Sequence, residues 1–169
     1  TTLSSEDSEK SVTEFVQKVN DFETNYPMYK NVAAICVYSR FAEVVRAALE
    51  VSEVNIAVCS ANFPSSQSRV EVKTVETALA VQDGANEVDI VFNLGLYRDG
   101  AYEELCDEIS EIKEAAKDAH LKKCLDYAKN FHDNALAKVE DAGIETAIET
   151  SAEGYSGTLQ HVNIHSEPV

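Results

Sequence analysis

The sequence predicts an α/β protein built from parallel strand–helix repeats. Short apolar runs of strand length alternate with segments in which apolar residues recur every three or four positions, the pattern of an amphipathic helix. Most of the apolar runs are continuous, as in parallel strands that are covered on both faces. Similar glycine-containing joints follow two of the predicted helices, at Asp83-Gly84-Ala85 and at Asp141-Ala142-Gly143-Ile144. This alternation indicates a mainly parallel sheet.

Length and composition bound the architecture. The 169 residues, 44% hydrophobic and 26% charged, suit one globular domain. We expect that domain over residues 1–154, followed by a tail over 155–169 that has no core pattern. A complete (β/α)₈ barrel needs roughly 250 residues. The expected architecture is therefore a partial or modified (β/α) barrel, with an open doubly wound parallel sheet as the alternative.

The first half of the chain begins with a helix whose start is marked by serines and acidic residues ahead of the apolar positions. Two apolar runs bounded by polar residues then predict strands on either side of a second helix. The expected elements are helix 4–22, strand 32–37, helix 40–50 and strand 55–59.

The second half continues the alternation. Gly84 suits a C-terminal helix cap, because glycine adopts positive φ without strain. A strongly acidic helix keeps Leu105, Ile109 and Ile112 on one face. The strand that follows it is poor, since two lysines and Asp126 interrupt it. The expected elements are helix 70–82, strand 87–92, helix 102–119, strand 122–127, helix 134–141 and strand 144–150.

Charge and cysteine spacing exclude several classes of partner. A net charge of −16 disfavours nucleic acid and anionic membrane surfaces, because like charges repel. No apolar run is long enough to span a membrane, and no signal peptide is evident. The four cysteines form no C-x-x-C pair, so we expect reduced thiols, no metal and a cytoplasmic location. They are Cys36, Cys59, Cys106 and Cys124.

Candidate site residues follow from the rule that parallel α/β proteins place function at the carboxyl ends of their strands. Those ends carry the polar side chains of Asn62, Asn93, Thr150 and Ser151. Asp89 lies inside an apolar strand, where a carboxylate is costly unless it is paired or hydrogen-bonded. It is therefore a candidate for function. The alternative is a structural aspartate paired with a lysine or a backbone N–H.

Three segments, at residues 34–38, 62–64 and 84–92, resemble the deoxyribose-phosphate aldolases in sequence, order and spacing. The resemblance covers about residues 1–122 and continues weakly over 141–154. It implies a (β/α)₈ barrel that makes or cleaves 2-deoxyribose 5-phosphate through a lysine Schiff base, without a cofactor. It also implies proton transfer by Asp89 and a place in the substrate pocket for Cys36.

The resemblance puts Glu149 at the position of the family's Schiff-base lysine, and a carboxylate cannot form an imine. We also expect strands seven and eight of the barrel to be missing. The chain, if active, is expected to be a lyase, a class I aldolase acting on a small aldehyde or sugar phosphate, with impaired or no native activity. The alternative is a catalytically silent barrel fragment or engineered chimera that associates with itself or a partner through open sheet edges.

Another lysine could replace the missing nucleophile only from the catalytic end of a strand. Lys122 and Lys123 stand at the start of strand 122–127, which is the opposite end. Lys129 follows that strand and is the better substitute.

Overall fold

A computed structural model describes residues 1–123 and 145–146 of the chain. Its strands form one parallel sheet in which each strand pairs with its neighbours in the sequence. They are β1 (Ala34–Tyr38), β2 (Asn55–Cys59), β3 (Glu87–Ile90), β4 (His120–Lys123) and β5 (Glu145–Thr146). The parallel α/β class is thus confirmed. Within the described residues the strand order never reverses, as it would in a doubly wound sheet, and this favours an arc of a barrel.

The helices are α1 (Glu9–Asn20), α2 (Phe22–Asn25), α3 (Ala42–Ala48), α4 (Val70–Gln82), α5 (Leu94–Arg98) and α6 (Tyr102–Ala116). A 3₁₀ turn over Ser39–Phe41 precedes α3. None of the helices in the described part of the chain has the length and the apolar run needed to cross a membrane. The predicted helix over 134–141 and most of the strand over 144–150 lie outside the described residues.

Hydrogen bonds at the polar ends of the elements move several predicted boundaries. Helix α1 begins at Glu9 rather than at residue 4, because Ser8 and Ser11 form a reciprocal capping box. Helix α6 ends at Ala116, since Lys117 adopts a positive φ of 52°. Strand β4 begins at His120, two residues before its predicted start.

The turn between α4 and β3 confirms the predicted glycine cap. Gly84 has φ +115°, a conformation that side chains beyond glycine rarely adopt. The amide of Ala85 donates to the carbonyl of Ala80 at 3.0 Å, and the amide of Gly84 donates to Val81 at 3.1 Å. These bonds satisfy the last carbonyls of the helix and turn the chain directly into β3.

The core lies between one face of the sheet and the helices. Val37, Val58 and Val88, on three neighbouring strands, are fully buried in one cluster with residues of α1 and α6. Side chains alternate between the two faces of a strand. The residues next to each valine along its own strand therefore point to the opposite face, which we call the inner face. Several polar side chains lie on that face. Cys36 and Asp89 on that inner face are only half-buried.

Candidate functional site

The strand register brings polar side chains from four strands to the inner face. Cys59 of β2 is the register partner of Asp89 of β3, and Asp89 is in turn the partner of Lys122 of β4. Cys36 of β1 pairs with Ala57 and lies diagonally across from Cys59, which is two residues further along β2 and on the same face. Parallel pairing thus places two thiols, a carboxylate and an ammonium group beside one another.

Three of these residues form a compact group, which we call the thiol–carboxylate cluster: Cys36, Cys59 and Asp89. The Sγ atoms of Cys36 and Cys59 are 3.8 Å apart. The Cys36 thiol also donates to Oδ2 of Asp89 at 3.6 Å. One ligand atom from each residue lies within 4.8 Å of the other two. The cluster can therefore hold a proton or a cation between its members.

The surroundings of Asp89 raise the pKa of its carboxyl group. Burial raises the pKa of Asp89 above its ordinary value, and the positive charge of Lys122 and the Cys36 hydrogen bond offset part of that rise. The charge of Glu87 on the same strand adds to it. A carboxyl group in this state gives and takes protons closer to neutral pH than an exposed aspartate does.

Lys122 is held as a cation by Glu87. Its Nζ forms an ion pair with Oε2 of Glu87, and Nδ2 of Asn55 donates to Oε1 of Glu87 at 2.6 Å. Burial by itself lowers the pKa of Lys122, but the bond and charge of Glu87, with the charge of Asp89 nearby, outweigh it and raise the pKa. Lys122 therefore supplies a fixed positive charge next to Asp89 rather than a free amine.

The N-terminal segment lies along the open side of β1. The amide of Thr2 donates to the carbonyl of Cys36 at 3.1 Å. The hydroxyl of Tyr38 donates to the carbonyl of Leu3 at 3.0 Å. Asp7 in turn accepts from Thr2 Oγ1 at 2.7 Å. These contacts hold the N-terminal segment against β1 at Cys36 and Tyr38, next to the Cys36 thiol.

Helix α4 holds the loops that leave the carboxyl ends of β1 and β2. Glu76 accepts from the hydroxyl of Ser39 at 2.8 Å and from the amide of Asn62 at 2.9 Å. The hydroxyls of Ser60 and Thr77 are 3.0 Å apart. Because a helix behind the sheet ties down both loops, the rim of the inner face has a defined shape.

Two of the predicted pocket residues stabilise their own loops. Asn62 is exposed, and its Oδ1 accepts from Ser65 Oγ and from the amide of Gln67. Asn93 caps the unpredicted helix α5, accepting from the amides of Gly95 and Leu96. Both lie just after strand ends, as predicted, but these hydrogen bonds stabilise the local turns.

The remaining predicted site residues, Glu149, Thr150 and Ser151, lie outside the described residues, as does Lys129. The structure corrects the interpretation of Lys122. Because β4 starts two residues earlier than predicted, Lys122 is level with Asp89 and not at the far end of the sheet. Sequence reasoning also missed Cys59 as a neighbour of Asp89. Its only signal was its place at the end of an apolar run.

Consecutive parallel strands with helices behind them define a protein of the (β/α)-barrel class, and the candidate site lies on the inner face of the sheet. The chain belongs to the DeoC/LacD family of aldolases, since residues 1–157 match the sequence profile of that family. The resemblance to deoxyribose-phosphate aldolases is thereby confirmed.

Individual relatives match the chain over different lengths. The deoxyribose-phosphate aldolase of Homo sapiens is 43% identical over 96 residues, which are 55% of this chain and 30% of that protein. The enzyme of Clostridium botulinum is 28% identical over 158 residues, 91% of this chain and 69% of that protein. The tetrameric deoxyribose phosphate aldolase of Aeropyrum pernix superimposes with a TM-score of 0.67 at 25% identity, over 86% of this chain and 58% of that one. The chain thus spans about a third of the human relative's length.

Proposed function

We propose that this chain carries the proton-transfer and substrate-positioning part of a class I aldolase site for 2-deoxyribose 5-phosphate, and that its native activity is impaired or lost. The thiol–carboxylate cluster is the observation that carries the first half of this proposal. It places the half-buried carboxyl group of Asp89 on the inner face of the sheet, beside a fixed cation. The second half rests on Glu149, which the resemblance puts at the position of the family's Schiff-base lysine.

The proposed chemistry divides into a covalent step and proton transfers. The covalent step joins a lysine amine to the substrate aldehyde carbon, with loss of water. Cleavage of the carbon–carbon bond then requires a proton to leave the neighbouring hydroxyl and a proton to reach the resulting enamine carbon. Asp89 is suited to these transfers, because burial raises its pKa towards neutral pH while the charge of Lys122 and the Cys36 hydrogen bond stabilise its ionised form.

Lys122 is a poor replacement for the missing nucleophile. An imine-forming lysine must lose its proton near neutral pH, which requires desolvation or a neighbouring cation to lower its pKa. Lys122 has the reverse environment, since Glu87 pairs with it and raises its pKa. We therefore assign Lys122 the role of a positioning residue that sets the charge next to Asp89.

Borohydride trapping with acetaldehyde tests the proposal. The wild-type chain is expected to give no stable adduct under conditions that label a complete family member. The Glu149→Lys variant is expected to gain one adduct, mapped to residue 149 by peptide mass, whereas Glu149→Gln is expected to gain none. A stoichiometric adduct on a single lysine of the wild-type chain would contradict the impairment.

Exchange of the acetaldehyde methyl protons into deuterated water separates imine formation from proton transfer. In the Glu149→Lys background, Asp89→Asn should still form the adduct but exchange protons about 10²- to 10⁴-fold more slowly, the usual contribution of a positioned acid or base. Unchanged exchange would remove Asp89 from the proposal. A folded Glu149→Lys chain that forms no adduct would instead leave a catalytically silent barrel fragment.

A further inference from the structure

We propose that the thiol–carboxylate cluster binds one thiophilic divalent cation, for which Zn²⁺ is the best fit. Its three ligand atoms come from three neighbouring strands, one each from β1, β2 and β3. Spacing along the chain does not reveal such a site, because the ligands are far apart in sequence and only the register brings them together.

Two of the three distances match those that zinc imposes. With Zn–S near 2.3 Å and Zn–O near 2.0 Å, tetrahedral geometry separates two sulfurs by about 3.8 Å and a sulfur from an oxygen by about 3.5 Å. The Cys36 and Cys59 sulfurs are 3.8 Å apart. The Cys36 sulfur and Asp89 Oδ2 are 3.6 Å apart. The third separation, from Cys59 to Asp89, is within 4.8 Å, so these two ligands have to move closer together when the cation binds.

The ligand set selects the metal. Two thiolates favour Zn²⁺ and other soft cations over Mg²⁺ and Ca²⁺, which prefer oxygen ligands. The described part of the chain supplies three ligands, which leaves a fourth tetrahedral position for water or another group. The ligands stand on paired strands rather than on loops, so the backbone changes little when the cation enters.

The binding step balances without an oxidant or a reductant. The cation replaces the protons of the two thiols, and that of the Asp89 carboxyl group where it is protonated, and these protons pass to solvent. The Lys122 ammonium beside Asp89 repels a bound cation, and its ion pair with Glu87 and the acidic composition of the chain offset that repulsion. A bound cation occupies the Asp89 carboxylate, so the metal-loaded chain loses the proton carrier of the proposed aldolase site. Binding itself does not depend on that function.

Cobalt substitution tests the site on the full chain. In a Cys106→Ser/Cys124→Ser background, only the two cysteines of the cluster remain. One equivalent of Co²⁺ should produce a thiolate-to-cobalt charge-transfer band and the intense visible bands of tetrahedral cobalt. One equivalent of Zn²⁺ should then abolish both. The His161→Ala/His165→Ala variant should behave like its parent, which excludes the histidines of the C-terminal region.

Single substitutions assign the ligands. Cys36→Ser and Cys59→Ser should each lose most of the charge-transfer band, with far-ultraviolet circular dichroism confirming the fold. Asp89→Asn should keep the band but bind at least about tenfold more weakly, since even residues behind the ligands contribute 10- to 100-fold. Absence of a charge-transfer band at one equivalent of Co²⁺, or a band unchanged in both serine variants, would overturn the proposal. Neither result depends on aldol chemistry, so failure of this site is distinguishable from failure of the proposed function.

Discussion

Replacing Glu108 with glutamine should destabilise the protein far more than a surface substitution does. Glu108 of α6 accepts from Nζ of Lys73 of α4 at 2.7 Å, and the Lys73 ammonium also donates to Ser66 at 3.0 Å. The Lys73 side chain is 0% exposed and that of Glu108 is 12% exposed. The pair joins the helix that holds the loops of the site to its neighbour behind the sheet.

The magnitude follows from the geometry. Two unit charges 2.7 Å apart attract each other by about 6 kcal/mol at an effective dielectric constant of about 20. The variant loses this attraction but keeps the cost of burying the Lys73 ammonium. Breaking one side of a buried pair typically costs about 3–5 kcal/mol. We expect about 3 kcal/mol for Glu108→Gln, since the glutamine oxygen still accepts a hydrogen bond.

Substitution of the other partner of the ion pair provides the comparison. Lys73→Met removes the buried charge and leaves Glu108, which reaches solvent, so it should cost only about 1 kcal/mol. Glu14→Gln breaks the surface pair with Lys10, whose side chains are 64% and 87% exposed, and should change stability by less than about 0.5 kcal/mol.

Urea unfolding followed by circular dichroism measures these differences. At about 2 kcal/mol per molar urea, a 3 kcal/mol loss lowers the midpoint by roughly 1.5 M. If Lys73→Met lowers the free energy of unfolding as much as Glu108→Gln does, the buried Lys73 charge is not the cause of the loss. A loss for Glu108→Gln no larger than that of the Glu14→Gln control would also contradict this explanation.

Three further outcomes can be measured in the same way. Gly84→Ala should cost at least about 1 kcal/mol and more than Gly100→Ala, because both have positive φ but only at Gly84 would a new Cβ lie 2.5 Å from Arg46. Asp89→Asn should gain stability relative to wild type as pH rises from about 4 to 7 in the presence of a chelator. A raised folded-state pKa means that the favourable contribution of Asp89 is present at low pH and is lost as pH rises through that pKa. Ser8→Ala should cost about 1 kcal/mol by removing the α1 cap, and an unchanged midpoint would contradict the capping role.

Elements whose burial pattern is unambiguous are predictable from the sequence. Strand β2 (Asn55–Cys59) and helix α4 (Val70–Gln82) begin and end at the predicted residues. In β2 an apolar run is bounded by polar residues, and in α4 a glycine ends the helix. Here local sequence and tertiary packing favour the same boundary.

Polar boundaries depend on which hydrogen bond forms, and sequence alone offers several. Ser4, Ser5 and Ser8 could each cap α1, and the partner at Ser11 decides in favour of Ser8. The sequence predicts Asn93 at the end of a strand, but its side chain caps the N-terminus of the short helix α5.

A residue of the candidate site was predictable from the sequence where the residue itself is unusual for its position. Asp89 is conspicuous because a carboxylate interrupts an apolar strand. Cys59 and Lys122 are not, because their proximity to Asp89 arises from the pairing of separate strands. A shift of β4 by one residue would turn Lys122 to the other face of the sheet.

The strand order also bears on how the chain folds. Every described pairing joins strands that are consecutive in the sequence. Each strand can therefore pair with the strand that precedes it in the chain without waiting for a later segment. Each pairing between neighbouring strands still closes a crossover of about 20 to 35 residues, but pairing strands that are further apart in the chain would require longer loops at a greater entropic cost. During synthesis the repeats emerge from the ribosome in chain order, from β1 towards β4. The thiol–carboxylate cluster would then be complete once β3 has paired, before β4 brings the cation of Lys122 beside it.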